Sequence, residues 1–233
     1  MKYLNIIGIH DGHNCGATLT INGEIALSYL EERFSRIKNQ VGFPYLALKN
    51  LLKDYNLSDD KIHSYYFSSN FMHQTDYLIN LENWYKKNYN DQLLEEKKPK
   101  YYEKKIYKIR KEERINELIK STGSKRSKIY FLDHHSCHAC YGYLMSPYRN
   151  EESLIFTMDG NGDNTNGTIS IAKPGEQFNF ISRSSNFNLG RIYRYITLLL
   201  GMRPADHEYK VMGLAAYNSE KYGLSAFEKF KET

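Results

Sequence analysis

Features that would identify a secreted or membrane-bound protein are scarce in this sequence. Its 233 residues include only three cysteines, Cys15, Cys137 and Cys140, which cannot all pair. Cys137-x-x-Cys140 has no second Cys-x-x-Cys to complete a structural zinc knuckle. No apolar run reaches about 18 residues, so no membrane span is expected, and the N-terminal segment turns polar too early for a secretory signal. We therefore expect a reduced, cytoplasmic protein.

Positive charge is concentrated in one segment. The formal net charge is +5, but residues 97–128 hold thirteen Lys or Arg and four Glu, a balance of 13 − 4 = +9, which leaves 5 − 9 = −4 for the remainder. Such a segment is a candidate for nucleic-acid binding, although a solvated lysine-rich helix face gives the same count. Because no recognition motif accompanies the charge, nucleic acid is not expected as a partner.

Short apolar runs separated by turn residues predict the same order of elements twice. Each copy is a strand, an Asp-Gly-rich turn, a strand, a reverse turn, a strand and a helix. The Asp-Gly-rich turns are residues 11–14 (Asp-Gly-His-Asn) and 159–163 (Asp-Gly-Asn-Gly-Asp), and Asn22-Gly23 is a strong hairpin signal. The predicted strands of the two copies cover 3–9, 17–21, 24–30, 154–158, 168–172 and 178–182.

The repeat predicts two similar lobes that face each other. We expect a first lobe over 1–150, with a basic helical insertion at about 72–128 whose helix ends near Gly123, and the start of a second lobe over 151–233. Further elements are a helix from Pro44, strands at 64–68 and 129–132, and a helix over 190–200 that ends at Gly201.

The paired Asp-Gly turns predict a cleft that handles phosphate groups. Glycine lets the backbone approach phosphate oxygens, and a carboxylate can hold a cation beside them. A single Asp-Gly turn is more simply an ordinary hairpin connection. It is the equivalent placement in the two copies that favours the functional interpretation.

A metal site is predicted where Asp133-His134-His135-Ser136-Cys137-His138 begins a helix. His134 and His138 are four residues apart, which puts both imidazoles on one helix face. The strand that ends at residue 158 delivers Asp159. Two histidines and a carboxylate suit Fe(II), Zn(II) or Mn(II). The alternative is that one histidine caps the helix and another packs in the core.

Five ordered motifs spread over nearly the whole chain resemble the O-carbamoyltransferases of the nodulation and antibiotic-tailoring type. They are Gly8-x-x-x-Gly12-His13-Asn14-Cys15-Gly16-Ala17, Glu31-Glu32-Arg33-Phe34-Ser35-Arg36-x-Lys38, Gly42-Phe43-Pro44, Asp133-His134-His135-x-x-His138-Ala139 and Glu208-Tyr209-Lys210-Val211-Met212-Gly213-Leu214-Ala215-Ala216-Tyr217. Asn14 stands where the family usually has Asp, so a negative charge is lost there.

The resemblance implies an α/β fold of the actin-like (ASKHA) type, with two ribonuclease-H-like lobes that each hold a mixed sheet with flanking helices. It implies that carbamoyl-adenylate, made from carbamoyl phosphate and ATP in a separate C-terminal domain, donates its carbamoyl group to a hydroxyl of a small molecule or sugar. The family's enzymes are much longer than this chain. We therefore expect an incomplete second lobe, and a fragment or split subunit that needs the missing C-terminal portion or a partner chain for more than weak turnover.

The resemblance also implies roles for individual residues. An iron-type divalent ion would be held by His134, His138, Asp159 and a further Asp from later in the chain. His13 matches the position that takes the acceptor proton, and Lys38 would hold phosphate or carbamoyl oxygens unless it is simply a surface lysine. The contacts to ATP or carbamoyl-adenylate are assigned to Asp11, Gly12, Asn14, Gly160, Asn161, Gly162 and Lys210. For Lys210 an anchoring role in its own loop is the alternative.

Two other functions stay open. A related protein that transfers threonylcarbamoyl to tRNA would use a similar metal motif and would contact RNA through the basic segment. A non-catalytic partner subunit would complete its sheet with another chain, and a homodimer is one form of that arrangement.

Overall fold

The computed structural model describes residues 4–71, 100–187, 189–204 and 206–231. Residues 72–99, which belong to the predicted helical insertion, lie outside this range, as does the predicted start of the first strand at Tyr3. The chain forms two compact units, 1–186 and 187–233. The predicted division into two lobes near residue 150 stays a prediction.

A five-stranded mixed sheet forms the first part of the structure, in the order β3-β2-β1-β4-β5. Strands β1 to β3 are antiparallel neighbours, whereas β4 runs parallel to β1 and β5 runs parallel to β4. The strands are β1 (Asn5–His10), β2 (Gly16–Ile21), β3 (Glu24–Leu30), β4 (Ser64–Phe67) and β5 (Ile129–Phe131). The predicted α/β class is therefore confirmed.

The hairpin between β2 and β3 turns at Asn22 and Gly23, as predicted. Their φ angles are 53° and 89°. Both fall in the left-handed region that a two-residue hairpin turn requires and that Asn and Gly adopt most readily. The register Ile21↔Glu24 closes this hairpin directly beside the turn.

One hydrophobic core joins this sheet to two helices. Helix α2 (Tyr45–Asp54) follows the short helix α1 (Glu32–Ser35) and begins directly after Pro44, which is a favourable position for proline. Helix α3 (Lys100–Thr122) ends before Gly123, whose φ is 73°. The core includes Ile7, Ile9, Leu19, Ala47, Leu48, Leu51, Tyr65, Phe67, Ile115 and Leu118.

The basic character of the segment that includes α3 is partly balanced by ion pairs. Arg126 pairs with Glu112 at 2.6 Å, and Lys128 pairs with Asp59 at 3.1 Å. The absence of nucleic acid among the partners stays a prediction. None of the described helices combines the length and the apolar character needed to cross a membrane.

A three-stranded antiparallel sheet follows, in the order β6-β7-β8. Its strands are β6 (Ser153–Gly162), β7 (Thr165–Ala172) and β8 (Asn179–Ser184). Helix α4 (His134–Leu144) packs against β6 and β7. His134, in the first turn of this helix, lies 2.7 Å from Asp159 near the end of β6.

The predicted turn at residues 159–163 is wrong in its position. Strand β6 continues through Gly162, which pairs with Thr165, and the chain reverses at Asp163 and Asn164. These two residues have φ angles of 52° and 61°, which is the left-handed pair of a type I′ turn. Asp and Asn tolerate this conformation, so the reversal needs no glycine. The glycines of this segment belong to the strand.

The second compact unit is helical. It contains α5 (Leu189–Leu199), α6 (Glu208–Gly213) and α7 (Glu220–Lys231). The predicted helix end at Gly201 is confirmed, since Gly201 follows α5 with a φ of 69°.

Candidate metal centre

Asp133 fixes the start of helix α4. Its carboxylate accepts hydrogen bonds from the backbone N–H and the hydroxyl of Ser136, both at 2.8 Å, which is a helix N-cap. Arg183 of β8 donates to the same oxygen at 3.0 Å. Burial raises the pKa of Asp133, but the hydrogen bonds from Ser136 and Arg183 outweigh it and lower the pKa below its usual value. The cap is therefore a carboxylate, and no histidine caps the helix.

Three predicted metal ligands come together where α4 meets β6. His134 Nε2 lies 2.7 Å from Asp159 Oδ2, and His138 Nε2 lies 3.0 Å from His134 Nε2. His138 Nε2 is 3.5 Å from Asp159 Oδ2. In the part of the chain that the structure describes, these three side chains are close enough together to hold one metal ion.

The spacing of these atoms fits a shared ion. Two ligands about 2.1 Å from an ion, at angles of about 90–110°, lie roughly 3.0–3.4 Å apart. The three separations of 2.7, 3.0 and 3.5 Å require only small movements to reach this range. Two histidines and one carboxylate on one side of an ion are also the donor set of mononuclear non-haem iron sites. The donor set therefore fits the predicted Fe(II).

The electrostatics of the site favour a cation. Hydrogen bonds from His134 and His138 lower the pKa of Asp159 far below its usual value, so this side chain is a carboxylate. Burial lowers the pKa of His134, but the hydrogen bond and charge of Asp159, with the charges of Asp163 and Asp133, outweigh burial and raise the pKa. The negative charges of these three carboxylates thus favour positive charge at the imidazole, and they would favour a bound divalent ion for the same reason.

His135 points the other way and holds α4 onto the second sheet. It is fully buried. Its Nε2 lies 2.9 Å from the carbonyl oxygen of Thr165, so this nitrogen carries the proton. Its Nδ1 then accepts from the Thr157 hydroxyl at 2.7 Å, and that hydroxyl accepts from Thr168 at 2.6 Å. Burial lowers the pKa of His135, so a neutral ring is favoured.

The His135→Ala variant is expected to lower the free energy of unfolding by about 2–4 kcal/mol, because it opens a cavity and leaves Thr157 and the Thr165 carbonyl without their partner. His138→Ala is the matched control on the same helix. Its side chain is 53% exposed, so the expected loss is below about 1 kcal/mol. Urea denaturation followed by circular dichroism measures both. Equal losses in the two variants would contradict the assignment of His135 to the core.

The loop that carries His13 joins β1 to β2. Its first residue, Asp11, is buried and receives two hydrogen bonds from Arg114 at 2.6 and 2.8 Å. His13 is exposed, and its carbonyl oxygen lies 3.0 Å from His10 Nε2. Asn14 is exposed and has a φ of 56°. Both carboxylate oxygens of Asp11 already accept hydrogen bonds from Arg114. Its contact with a cofactor stays a prediction, and a cofactor would share this carboxylate with Arg114.

The segment after Lys38 borders this loop. Gly42 N donates to the carbonyl oxygen of Gly12 at 3.3 Å, Cys15 N donates to Gln40 O at 3.1 Å, and Val41 forms a bridge with His13. Lys38 itself is exposed. The two predicted catalytic residues, His13 and Lys38, thus lie on adjoining segments, while their roles stay predictions.

His10, the last residue of β1, contacts the His13 loop through its Nε2, which lies 3.0 Å from the carbonyl oxygen of His13. Its Nδ1 lies 2.8 Å from the Ser68 hydroxyl. Burial lowers the pKa of His10, and this effect outweighs the charge of Asp11, which raises the pKa.

The predicted nucleotide contacts have different surroundings. Gly160, Asn161 and Gly162 lie in β6, directly after Asp159. Lys210 lies on α6, within the unit 187–233. Their contacts with ATP or carbamoyl-adenylate stay predictions.

Two residues that sequence reasoning missed organise the site. Arg114 binds Asp11 and also donates to the carbonyl oxygen of Ser69 at 3.1 Å. Asp163 accepts hydrogen bonds from the backbone of the segment after β4 and from the first residue of α4. For Arg114 a signal exists, since it directly precedes Ile115 and lies four residues before Leu118, on the apolar side of α3. For Asp163 the sequence offers none.

Comparison with known proteins identifies the family. A model described as carbamoyltransferase N-terminus matches residues 5–232. The uncharacterized protein MJ1051 of Methanocaldococcus jannaschii is 28% identical over 229 residues, which are 97% of this chain and 36% of that protein. Nodulation protein NolNO of Sinorhizobium fredii is 37% identical over 106 residues, which are 46% of this chain and 15% of that protein. Nodulation protein NolO of Bradyrhizobium diazoefficiens is 34% identical over 101 residues, which are 43% of this chain and 18% of that protein.

This chain thus spans little more than a third of the length of the archaeal relative. The family match covers nearly all of its described residues. The chain therefore belongs to the carbamoyltransferase N-terminus family.

Proposed function

We propose that this chain carries a metal-dependent site at which a carbamoyl group passes from carbamoyl-adenylate, made from carbamoyl phosphate and ATP, to a hydroxyl of a small molecule or sugar. The observation that carries the proposal is the convergence of His134, His138 and Asp159 at the start of α4. Membership of the carbamoyltransferase N-terminus family gives the reaction class. The chemistry that Fe(II) supplies when bound is Lewis-acid polarisation of the carbamoyl carbonyl.

The side chains of this chain have separate parts in the proposed reaction. His134, His138 and Asp159 would hold the ion. His13 takes the proton of the attacking hydroxyl, a task that suits a solvent-accessible imidazole. The hydroxyl oxygen forms a bond to the carbamoyl carbon, the bond from that carbon to the phosphate oxygen breaks, and AMP leaves. Lys38, on the segment beside the His13 loop, holds phosphate or carbamoyl oxygens. The backbone of Gly12 donates to phosphate oxygens, whereas the backbone N–H of Gly160 donates to Asp159 Oδ1.

We also propose the finer fold assignment, an actin-like (ASKHA) arrangement of ribonuclease-H-like lobes. Its support is the repeated pattern of three antiparallel strands followed by a helix, β1-β2-β3 and then β6-β7-β8. In the first copy two parallel strands extend the sheet beyond β1.

The proposed activity is tested with isotope-labelled carbamoyl-adenylate, Fe(II) under anaerobic conditions and a panel of hydroxylated acceptors. The protein is assayed alone and with a C-terminal portion of a longer family member added as a separate polypeptide. We expect labelled product that depends on the metal and is lost in the His13→Ala variant. Product that forms equally without the metal, or no product from a chain that has bound metal, would contradict the proposed activity.

Metal affinity is expected to fall as the pH falls through the raised pKa of His134, because a protonated imidazole has no lone pair for the ion. Asp159 stays a carboxylate over this range, since its pKa is lowered. Zinc titrations against a competing chelator between about pH 8 and pH 5 measure the effect. Zinc binding should also release protons, which calorimetry in buffers of different ionisation enthalpy detects. An affinity that does not change with pH would be inconsistent with histidine ligation.

A further inference from the structure

Gly162 leaves the space that the His134 ring occupies. A Cβ atom built on Gly162 would overlap the carbon and nitrogen atoms of that ring. A Cβ atom on Gly142, on the exposed side of α4, would meet no other atom within 4 Å. Neither glycine is among the residues with a positive φ, so the backbone accepts alanine at both positions. The requirement for glycine at 162 is therefore one of space.

Asp163 fixes the backbone on which the His134 ring is carried. One carboxylate oxygen accepts from the backbone N–H of His134 at 2.8 Å and from that of Asn70 at 2.8 Å. The other oxygen accepts from the backbone N–H of Phe71 at 2.7 Å. A charged acceptor with three backbone donors is a strong anchor. It ties the first residue of α4 to the reversal between β6 and β7 and to the segment after β4.

We propose that Gly162 and Asp163 are positioning residues for the metal ligand His134, which is a role that rests on the proposed metal function. Gly162 sets how closely the ring approaches β6, and Asp163 sets where the ring is attached. Together they hold Nε2 within reach of Asp159 Oδ2, which lies three residues before Gly162 on the same strand. A ring displaced by about one methyl group would leave the ligand set, because metal sites tolerate errors of only about 0.2 Å.

The first experiment compares Gly162→Ala with Gly142→Ala in the full chain, with Co(II) as the probe. We expect Gly162→Ala to weaken Co(II) binding by about 10- to 100-fold, the range found when groups that orient metal ligands are changed. Its visible absorption bands should also shift, because the ligand geometry changes. Gly142→Ala should bind Co(II) like the unaltered chain. Circular dichroism confirms that both variants are folded.

A double-mutant cycle separates positioning from a general structural effect. If Gly162 acts through His134, adding Gly162→Ala to His134→Ala should cause no further loss of Co(II) affinity. A full additional loss in the His134→Ala background would overturn the inference. So would Gly162→Ala binding with the affinity and spectrum of the unaltered chain.

Asp163→Asn gives a second test that keeps the turn intact, since Asn also adopts the left-handed region. The amide keeps one acceptor oxygen for three donors, and we expect about a 3- to 10-fold loss of Co(II) affinity, as for a weakened orienting contact. An unchanged affinity would overturn the part assigned to Asp163. An unaltered chain that binds no Co(II) would instead refute the proposed metal function itself, and this outcome is distinguishable because all variants would then behave alike.

Discussion

The His134→Ala/His138→Ala variant is expected to lose at least about a hundredfold in divalent-metal affinity, because it retains one of the three donor groups. Calorimetric titration with Zn(II) measures the change. The two rings supply nitrogen donors 3.0 Å apart, and the variant removes both. The remaining Asp159 carboxylate is one charged ligand, and one such group holds a divalent ion only weakly in water.

The control for this variant is His63→Ala. His63 is exposed and lies in the segment before β4, outside the ligand group. We expect its Zn(II) affinity to match that of the unaltered chain. Equal Zn(II) affinity in the double variant and in the control would remove the site, and with it the structural basis of the proposed transfer reaction.

The Arg114→Met variant is expected to lower the free energy of unfolding by about 3–5 kcal/mol, because it leaves the Asp11 carboxylate buried without its partner. Both side chains are only 3% exposed. The guanidinium also lies 4.7 Å from the ring centroid of Phe67 and 4.8 Å from that of Phe131, so the pair is enclosed by aromatic side chains. Urea denaturation measures the loss.

Two comparisons isolate the buried charge. Arg126→Met removes an exposed ion pair with Glu112, and its expected cost is below about 1 kcal/mol. Adding Asp11→Asn to Arg114→Met should recover part of the stability, because the unpaired charge is gone. A double variant whose loss equals the sum of the two single losses would contradict the pair. Since Asp11 begins the loop that carries His13, we also expect Arg114→Met to lower the proposed transfer activity.

The metal ligands His134 and His138 were predicted from their spacing along one helix, and the geometry of an α-helix is local. Residues four apart on an α-helix lie on one face, so His134 and His138 were identified from the sequence. The same spacing places His135, which is one residue from His134, off that face. It did not show that His135 packs against Thr157 and Thr165, because both partners come from a sheet formed later in the chain.

The glycine-rich segment shows where sequence reasoning failed. Asp-Gly dipeptides are typical of turns, and this favoured a turn at residues 159–163. The strand instead continues to Gly162, which pairs with Thr165. The chain reverses at Asp163 and Asn164, which both have a positive φ. The need for glycine at position 162 depends on the position of the His134 ring, which is a tertiary contact that no local pattern encodes.

The basic segment illustrates the same limit for charge. Counting charges gave a surplus over residues 97–128 and raised the question of nucleic acid. The count does not distinguish an exposed lysine from Arg114, whose charge is buried against Asp11 in the loop after β1. Pairing across 103 residues of sequence depends on the completed sheet.

The most direct measurement of the central claim is a crystal structure of the protein grown anaerobically with Fe(II), with anomalous diffraction recorded at the iron absorption edge. The account predicts one strong anomalous peak about 2.0–2.3 Å from His134 Nε2, His138 Nε2 and Asp159 Oδ2. A peak bound by other residues, or iron at full occupancy elsewhere while these three side chains stay hydrogen-bonded to one another, would contradict it.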